Sequence, residues 1–470
     1  MTGRKKEFEP LDPSRVTMYV CGMTVQDRPH VGHMLTFVSA DLIRRTLEYF
    51  GYRVQHVQNF TDIDDKIIDR ARQEGEDPQV LAQRNIDRFF EAADALKIRR
   101  ATLYPRVTEH IEDIIAYITR LIEAGHAYAA GGSVWFDVRS WPSYGELSGR
   151  DIEELRSGYR IEVDENKRDP LDFALWKAAK EGEPGWDSPW GRGRPGWHIE
   201  CSVMSTKYLG EAFDLHGGGR DLIFPHHENE LAQSKALGGR FVRYWMHNGL
   251  LNLQGQKMSK STGHFFAMDE VLAEFPAEVV RFFLLRGHFR NQMEFSRERM
   301  EEARSAYERM RRAIERIDAL AADPRLGAEV PEGLTSAEGV ALLERAEKAK
   351  TAFDAGLADD FNAEAALAAL FELVREANPY WVEHPRAEQA EAEVVHRVRE
   401  VLRGSLAVLG LFEEEPAGEE IPPEIEELVE RRQRARERKD WAEADTLREE
   451  IRSKGFVVED HAGGSSVRRA

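Results

Sequence analysis

Only two cysteines, Cys21 and Cys201, occur in the 470 residues, and they stand too far apart to form the disulfide framework that staples small secreted domains. Each is left a role as thiol, metal ligand or core residue. Long apolar runs are missing as well. Mean hydropathy is −0.53, no stretch approaches the ~20 residues of a membrane span, and the opening Met-Thr-Gly-Arg-Lys-Lys has no signal-peptide core. These absences predict a soluble, cytoplasmic chain with no membrane partner. Positive charge is in deficit: 65 Lys and Arg face 84 Asp and Glu, for a net charge of −19. That excludes a surface coated in basic residues but leaves room for a local basic face. No internal repeat is present.

What is there begins with length. A chain of 470 residues, 42% of them hydrophobic, is too long for one ordinary core and predicts roughly two to four domains. The stretch Met18 to His33 combines a β-prone run ending in Cys21-Gly22, a loop punctuated by Pro29, then His30-Val31-Gly32-His33 and a helical pattern to Phe50. Strand, loop and helix N-terminus in that order present backbone N–H groups and partial positive charge to a phosphate. Tyr52 to Phe60 reads as a second strand, feeding Thr61-Asp62-Ile63-Asp64-Asp65-Lys66, with Thr61 or Asp62 as N-cap of a helix from Ile63. Two such units predict an α/β domain with a doubly wound parallel sheet. From Ala127 to about Asp187 the texture changes to short β-like pieces, a charged helix at Asp151–Ser157 and turns, the pattern of an insertion. The sheet pattern resumes with Phe213 to Asp221, which holds the glycines 217–219, and with Tyr244 to Leu251. Between them Phe224-Pro225-His226-His227-Glu228-Asn229-Glu230 opens a helix, with Pro225 near its start. Helical patterns then run from Glu278 to about Ala322 and from 336 to 411; a helix pair, a short strand and a mobile tail from His461 close the chain.

Several constellations carry chemistry. His226 and Glu230 are four apart on one helix face, and with the two cysteines they offer an S, S, N, O donor set suited to zinc; His227, three from Glu230, is an alternative ligand. His30 and His33 would meet a phosphate at a helix N-terminus, and Lys257 and Lys260 in Gly255-Gln256-Lys257-Met258-Ser259-Lys260-Ser261 would bring mobile cations. Three glycines at 217–219 allow a nucleotide close to the backbone. The run Arg431 to Lys439 is either a nucleic-acid contact or a solvated helix face.

Taken together these stretches resemble the class I aminoacyl-tRNA synthetases, and within them the cysteinyl-tRNA synthetase family. His30-Val31-Gly32-His33 and Lys257-Met258-Ser259-Lys260-Ser261 match the two class signatures. Tyr19-Val20-Cys21-Gly22, Thr61 to Lys66, Gly196-Trp197-His198-Ile199-Glu200-Cys201, His216 to Gly219, Phe224 to Glu230 and Lys439 to Asp445 carry the narrower likeness. The resemblance implies a Rossmann-type catalytic domain in two halves (1–126 and 195–255) around a connective insertion (127–194). A signature loop and stem-contact region (256–325), a helical bundle (326–412), and a linker with an anticodon-binding module (413–470) follow. It implies one zinc per chain on Cys21, Cys201, His226 and Glu230, and Mg²⁺ with ATP. His30, Gly32, His33, Gly217, Gly218, Asp221 and Lys260 are implied to bind ATP, with His30, His33, Lys257 and Lys260 catalytic. Gly22, Thr24, Thr61, Trp197 and His216 are implied to line a cysteine pocket, and Arg436, Trp441 and Asp445 to contact tRNA. The implied partners of this monomer are ATP, L-cysteine and tRNA(Cys), held through acceptor stem and GCA anticodon. Gln26 and Met34-Leu35 depart from the family pattern. Two relatives offer other readings: the mycothiol-pathway ligase that joins cysteine to an amino sugar, which lacks the ligand matching Glu230 and the anticodon-binding end, and a non-catalytic tRNA-binding protein.

Overall fold

The computed structural model describes residues 4–151, 165–253, 256–257, 267–323, 336–383, 391–413, 422–438, 440–454, 456–461 and 464–469. The segment 152–157, the linker at 416–421 and Lys260 lie outside the described residues. The chain divides into two compact units, 1–411 and 412–470.

In the first unit, β1 (Arg15–Val20) buries every residue after Arg15, the continuous apolar run of a strand covered on both faces. Helix α1 (Val31–Tyr49) leads from it to β2 (Arg53–Gln58), which pairs with β1 in parallel. Helices α2 (Asp65–Glu74), α3 (Pro78–Ala95) and α4 (Ile111–Glu123) follow. Asp64 caps α2 by accepting from the Lys66 N–H; the helix therefore starts two residues later than Ile63, because the extended backbone of Thr61 is used in a parallel bridge to Thr24.

Strands β3 (Ala127–Ala130), β4 (Ser133–Phe136), β5 (Phe173–Ala178) and β6 (Gly193–Pro195) then form a separate antiparallel sheet. Helix α5 (Trp197–Leu209) returns the chain to the parallel sheet, where β7 (Ala212–Gly219) and β8 (Phe241–Asn248) complete the order β2-β1-β7-β8. Because β1 and β7 are neighbours in space but far apart in sequence, the connections from their carboxyl ends depart in different directions. A ligand crevice opens at such a switch point. Thr36 and Ser39 of α1 line a small crevice there with Gly217, Gly218, Met246 and Asn248.

The helical expectation beyond residue 278 needs one correction. Ala277–Leu285 and Arg297–Ala321 are distinct helices, separated by the strand Met293–Phe295. That strand pairs in parallel with Leu251–Leu253, so tertiary pairing overrides a helix-favouring sequence, and the Ser296 side chain caps the second helix. Helices Ala337–Ala358, Ala363–Glu383 and Ala392–Val408 follow.

A buried charged knot fastens α1 to this helical region. Asp41 Oδ2 accepts from Arg45 Nε at 2.7 Å and from Arg281 Nη2 at 2.5 Å. Arg281 also donates to the Leu96 and Leu409 carbonyls, and Arg45 to that of Lys97. Burial alone would raise the Asp41 pKa, but the two guanidiniums overcome it and hold the carboxyl below its ordinary value. The resulting stability is fully present above the unfolded-chain pKa of about 3.9 and is lost as pH falls through the lower folded value. Asp41→Asn should therefore cost about 3–5 kcal/mol at pH 7 and flatten the fall in urea midpoint below about pH 4; an unchanged midpoint at neutral pH would contradict this.

The second unit consists of helices Pro423–Glu437 and Trp441–Ser453 and a hairpin, Phe456–His461 with Gly464–Arg469. Its core is Ile425, Leu428, Leu447, Ile451, Phe456 and Val458. The tail from His461, expected to be mobile, instead supplies the second hairpin strand. Val458 pairs with Val467 in its register.

Candidate active site at the carboxyl ends of the central strands

Four residues from four elements meet at the ends of β1 and β7. Cys21 directly follows β1, its N–H bonded to the Gly217 carbonyl at 3.0 Å. Cys201 lies in α5, and His226 in an irregular turn just before α6 (Glu228–Ala236), which carries Glu230. The expected helix start near Pro225 is displaced to Glu228, since Phe224 has extended dihedrals of −137° and 130°. Even so, His226 and Glu230 keep their shared face: Nε2 to Oε1 is 3.1 Å. Cys21 Sγ is 3.6 Å from Cys201 Sγ and 3.5 Å from Glu230 Oε1. All four side chains are buried.

The donors suit a tetrahedral zinc, for which Zn–S of 2.3 Å implies sulfur atoms about 3.8 Å apart. A second set, Cys21, His216, His227 and Glu230, shares two members with the first. The set with two sulfurs is the softer and favours zinc more strongly. In addition, His216 Nε2 bonds Glu230 Oε2 at 2.8 Å and so orients that carboxylate, while His227 turns Nε2 toward Cys21 Sγ at 3.3 Å and meets His247 Nε2 through Nδ1 at 2.8 Å.

Electrostatics agree with that division. Burial raises the Cys21 thiol well above its ordinary range, and Cys201 adds to the effect. Burial acts the same way on Cys201, but hydrogen bonds from Cys21 and His226 outweigh it and bring that thiol down to about 6. At His226 burial opposes the cation, yet Glu230 and Cys201 lift its pKa to about 10. Glu230 is held well below the carboxylate range because His216 and His226 overcome burial. His227, by contrast, is driven well below 6.5 by burial and then by His216. Anionic sulfur and carboxylate thus converge on an imidazole whose proton a divalent cation would have to displace.

Of the implied cysteine-pocket residues, Trp197 and His216 touch this cluster and Gly22 is next in sequence to Cys21. Gly22 follows Cys21; a Cβ there would lie 1.5 Å from the Asn59 carbonyl oxygen, so only glycine permits the approach. Thr24 and Thr61 face one another in a parallel bridge, and the Thr61 hydroxyl donates to Glu200 Oε2 at 2.7 Å. The Trp197 ring stacks on His226 at 4.2 Å between centroids. His216 is fully buried, against Glu230.

His30 is the N-cap of α1: its Nδ1 accepts from the His33 N–H at 3.1 Å, and His33 Nδ1 accepts in return from the His30 N–H at 3.4 Å. The two rings stack at 3.5 Å. This reciprocal histidine box replaces the usual Ser/Thr and Glu/Gln pair. Gly32 lies in the first turn of α1, Gly217 and Gly218 end β7, and Asp221 is exposed just beyond. Met34 and Leu35, which depart from the family pattern, are both buried core residues. Lys257 ends the short strand Gln256–Lys257, and the chain re-enters the described residues at Ala267, which bridges to His30. In the second unit Trp441 is 59% exposed, Asp445 exposed and Arg436 partly buried.

Residues that sequence reasoning missed include Asn59, whose Oδ1 accepts from the Gly22 N–H at 2.9 Å, and Glu228, whose carboxylate accepts from the Gly145, Leu147 and Ser148 N–H groups. His247 lies at a strand end, a position that could have pointed to it.

The parallel sheet with its switch-point crevice and histidine-capped helix belongs to a class I tRNA synthetase, as the match of its sequence to that family shows. Residues 7–305 match the family described as tRNA synthetases class I (C) catalytic domain, 352–413 a DALR domain and 418–468 a cysteinyl-tRNA ligase anticodon binding domain. A cysteine–tRNA ligase of Pelotomaculum thermopropionicum is 46% identical over 99% of this chain and 97% of its own length, and one of Pyrococcus horikoshii 48% identical over 98% and 96%. The chain belongs to the cysteine–tRNA ligase family. Among solved structures, Mycobacterium tuberculosis methionyl-tRNA synthetase with methionyl-adenylate shares the fold at TM-score 0.62 and 19% identity, covering 84% of this chain and 89% of that one. No helix among the described residues is long and apolar enough to cross a membrane.

Proposed function

We propose that this chain activates L-cysteine with ATP and Mg²⁺ to cysteinyl-adenylate and transfers the cysteinyl group to tRNA(Cys), acting as a cytoplasmic monomer. The observation that carries the reading is the buried S, S, N, O cluster of Cys21, Cys201, His226 and Glu230 beside the histidine-capped end of the sheet. One zinc on these ligands would supply a soft Lewis acid that favours an ionised thiol over the harder, far less acidic hydroxyl of serine. Discrimination of this size needs no second editing site.

The chain's own residues do the rest by positioning and charge. Gly22, Thr24, Thr61, Trp197 and His216 hold the amino acid so that its carboxylate, the attacking group, faces the α-phosphorus. His30 and His33, at the positive end of α1, donate to the phosphates; Gly32, Gly217, Gly218 and Asp221 admit the nucleotide, and Lys257 and Lys260 neutralise charge from the opposite side. No side-chain nucleophile is required. Arg436, Trp441 and Asp445 then contact the tRNA.

Zinc-loaded protein should catalyse cysteine-dependent ATP–pyrophosphate exchange without tRNA and, offered both acceptors, should charge tRNA bearing a GCA anticodon and leave the amino sugar of the mycothiol pathway unmodified. Removal of 413–470 should leave exchange intact and reduce tRNA charging at least about tenfold, a loss of roughly 1.4 kcal/mol. Absent exchange, or modification of the amino sugar alone, would sink the proposal; undiminished charging after truncation would remove the terminal module's role.

A further inference from the structure

Glu200 is fully buried in the first turn of α5, beside the metal-ligand candidate Cys201. Its Oε2 accepts from the Thr61 hydroxyl at 2.7 Å, while its Oε1 has no hydrogen-bond partner. Among the described residues no cation pairs with it. A buried carboxyl with a single partner is a poor stabilising device, because its desolvation is only partly offset. Its one hydrogen bond is spent on Thr61.

That bond has a directional consequence. A threonine hydroxyl owns one proton and two lone pairs. With the proton committed to Glu200, Thr61 faces any ligand as an acceptor only. An amino acid held by its sulfur carries its ammonium nitrogen within about 4 Å of that sulfur, given the short bonds joining both through Cα. The ammonium offers donors and no acceptor. The group that recognises it must therefore be an acceptor close to the metal ligands, and the Thr61 hydroxyl is an acceptor held by Glu200, the neighbour of Cys201 in α5.

We propose that Glu200 is a positioning residue for amino-acid recognition: it fixes the Thr61 hydroxyl as an acceptor for the substrate's α-ammonium group and thereby rejects thiols that lack one. This rests on the reading of the site as a cysteine pocket. The acceptor, rather than the charge, is what Thr61 needs, so glutamine at this position suffices.

The test uses zinc-loaded protein and calorimetric binding of two probes, L-cysteine and 3-mercaptopropionate, the same thiol acid without the amine. Glu200→Met and Thr61→Val should each lower the preference for cysteine at least tenfold, with zinc content and the KM for ATP unchanged. The double variant should lose no more than either single one, since both break the same bond. Glu200→Gln and Thr61→Ser should keep the preference within about threefold. An unaltered preference in Glu200→Met, or additive losses in the double variant, would overturn the assignment. If Glu200→Met fails to fold, a tenfold loss of preference in Glu200→Gln with zinc retained also overturns it, and a loss in Glu200→Ala that matches the tenfold loss in Thr61→Val supports it. Wild-type protein that binds zinc but no cysteine would instead refute the cysteine-pocket reading itself.

Discussion

Cys201→Ala should purify with almost no zinc, against one equivalent per chain in the wild type, and should lose at least about a thousandfold in kcat/KM for cysteine, roughly 4 kcal/mol of transition-state stabilisation. Two consequences of the substitution act together. One soft donor disappears from a set in which two sulfurs lie 3.6 Å apart, and the buried Glu230, already bonded to His216, is left to share fewer ligands with the metal. The same experiment separates the two overlapping donor sets. His226→Ala should lose the metal as Cys201→Ala does, because it removes a first ligand. His227→Ala should retain it, because the two-sulfur set is complete without His227. Elemental analysis settles the matter without any activity assay: zinc kept in His226→Ala and lost in His227→Ala would transfer the site to the alternative set.

The donor cluster was legible because its soft donors are scarce and its other two members are close in sequence. A chain with two cysteines offers few soft donors, and the four-residue spacing of His226 and Glu230 survives even though the helix begins only at Glu228. The parallel sheet was legible from local pattern too: β1 is a β-prone run, buried after Arg15, followed after one loop by a helix. What could not be read depends on contacts between distant segments. Met293–Phe295 becomes a strand because Leu251–Leu253 lies beside it, and nothing within the helix-favouring sequence announces this. The partners of Asp41 come from α1, from Ala277–Leu285 and from the backbone at Arg99. Glu200, read in sequence, is only an acidic residue in a helix's first turn; its pairing with Thr61 spans 139 positions.

The histidines at the start of α1 have a structural duty as a reciprocal cap and a proposed catalytic one, and a suitable substitution should separate them. Asparagine retains an acceptor at a position comparable to Nδ1, and it is among the best N-cap residues. His30→Asn should therefore preserve the bond to the His33 N–H, now 3.1 Å from Nδ1, and leave thermal stability nearly unchanged. It removes the rest of the imidazole, including Nε2, the group proposed to face phosphate. Removing one preorganised donor to developing charge costs on the order of 10²–10³ in kcat, so cysteine-dependent pyrophosphate exchange should fall by that factor while the KM for cysteine stays close to wild type. His30→Ala should show the same catalytic loss together with about 1 kcal/mol of destabilisation from the missing cap. Stability measured by urea unfolding and exchange measured at saturating ATP then report the two duties independently. If His30→Asn retained full exchange, His30 would be a cap alone and the phosphate contact would pass to His33; if it lost stability as well as exchange, the reduced rate would follow from a frayed helix. The expected pattern, stable protein with slow chemistry, is the one that assigns the imidazole to the reacting phosphates.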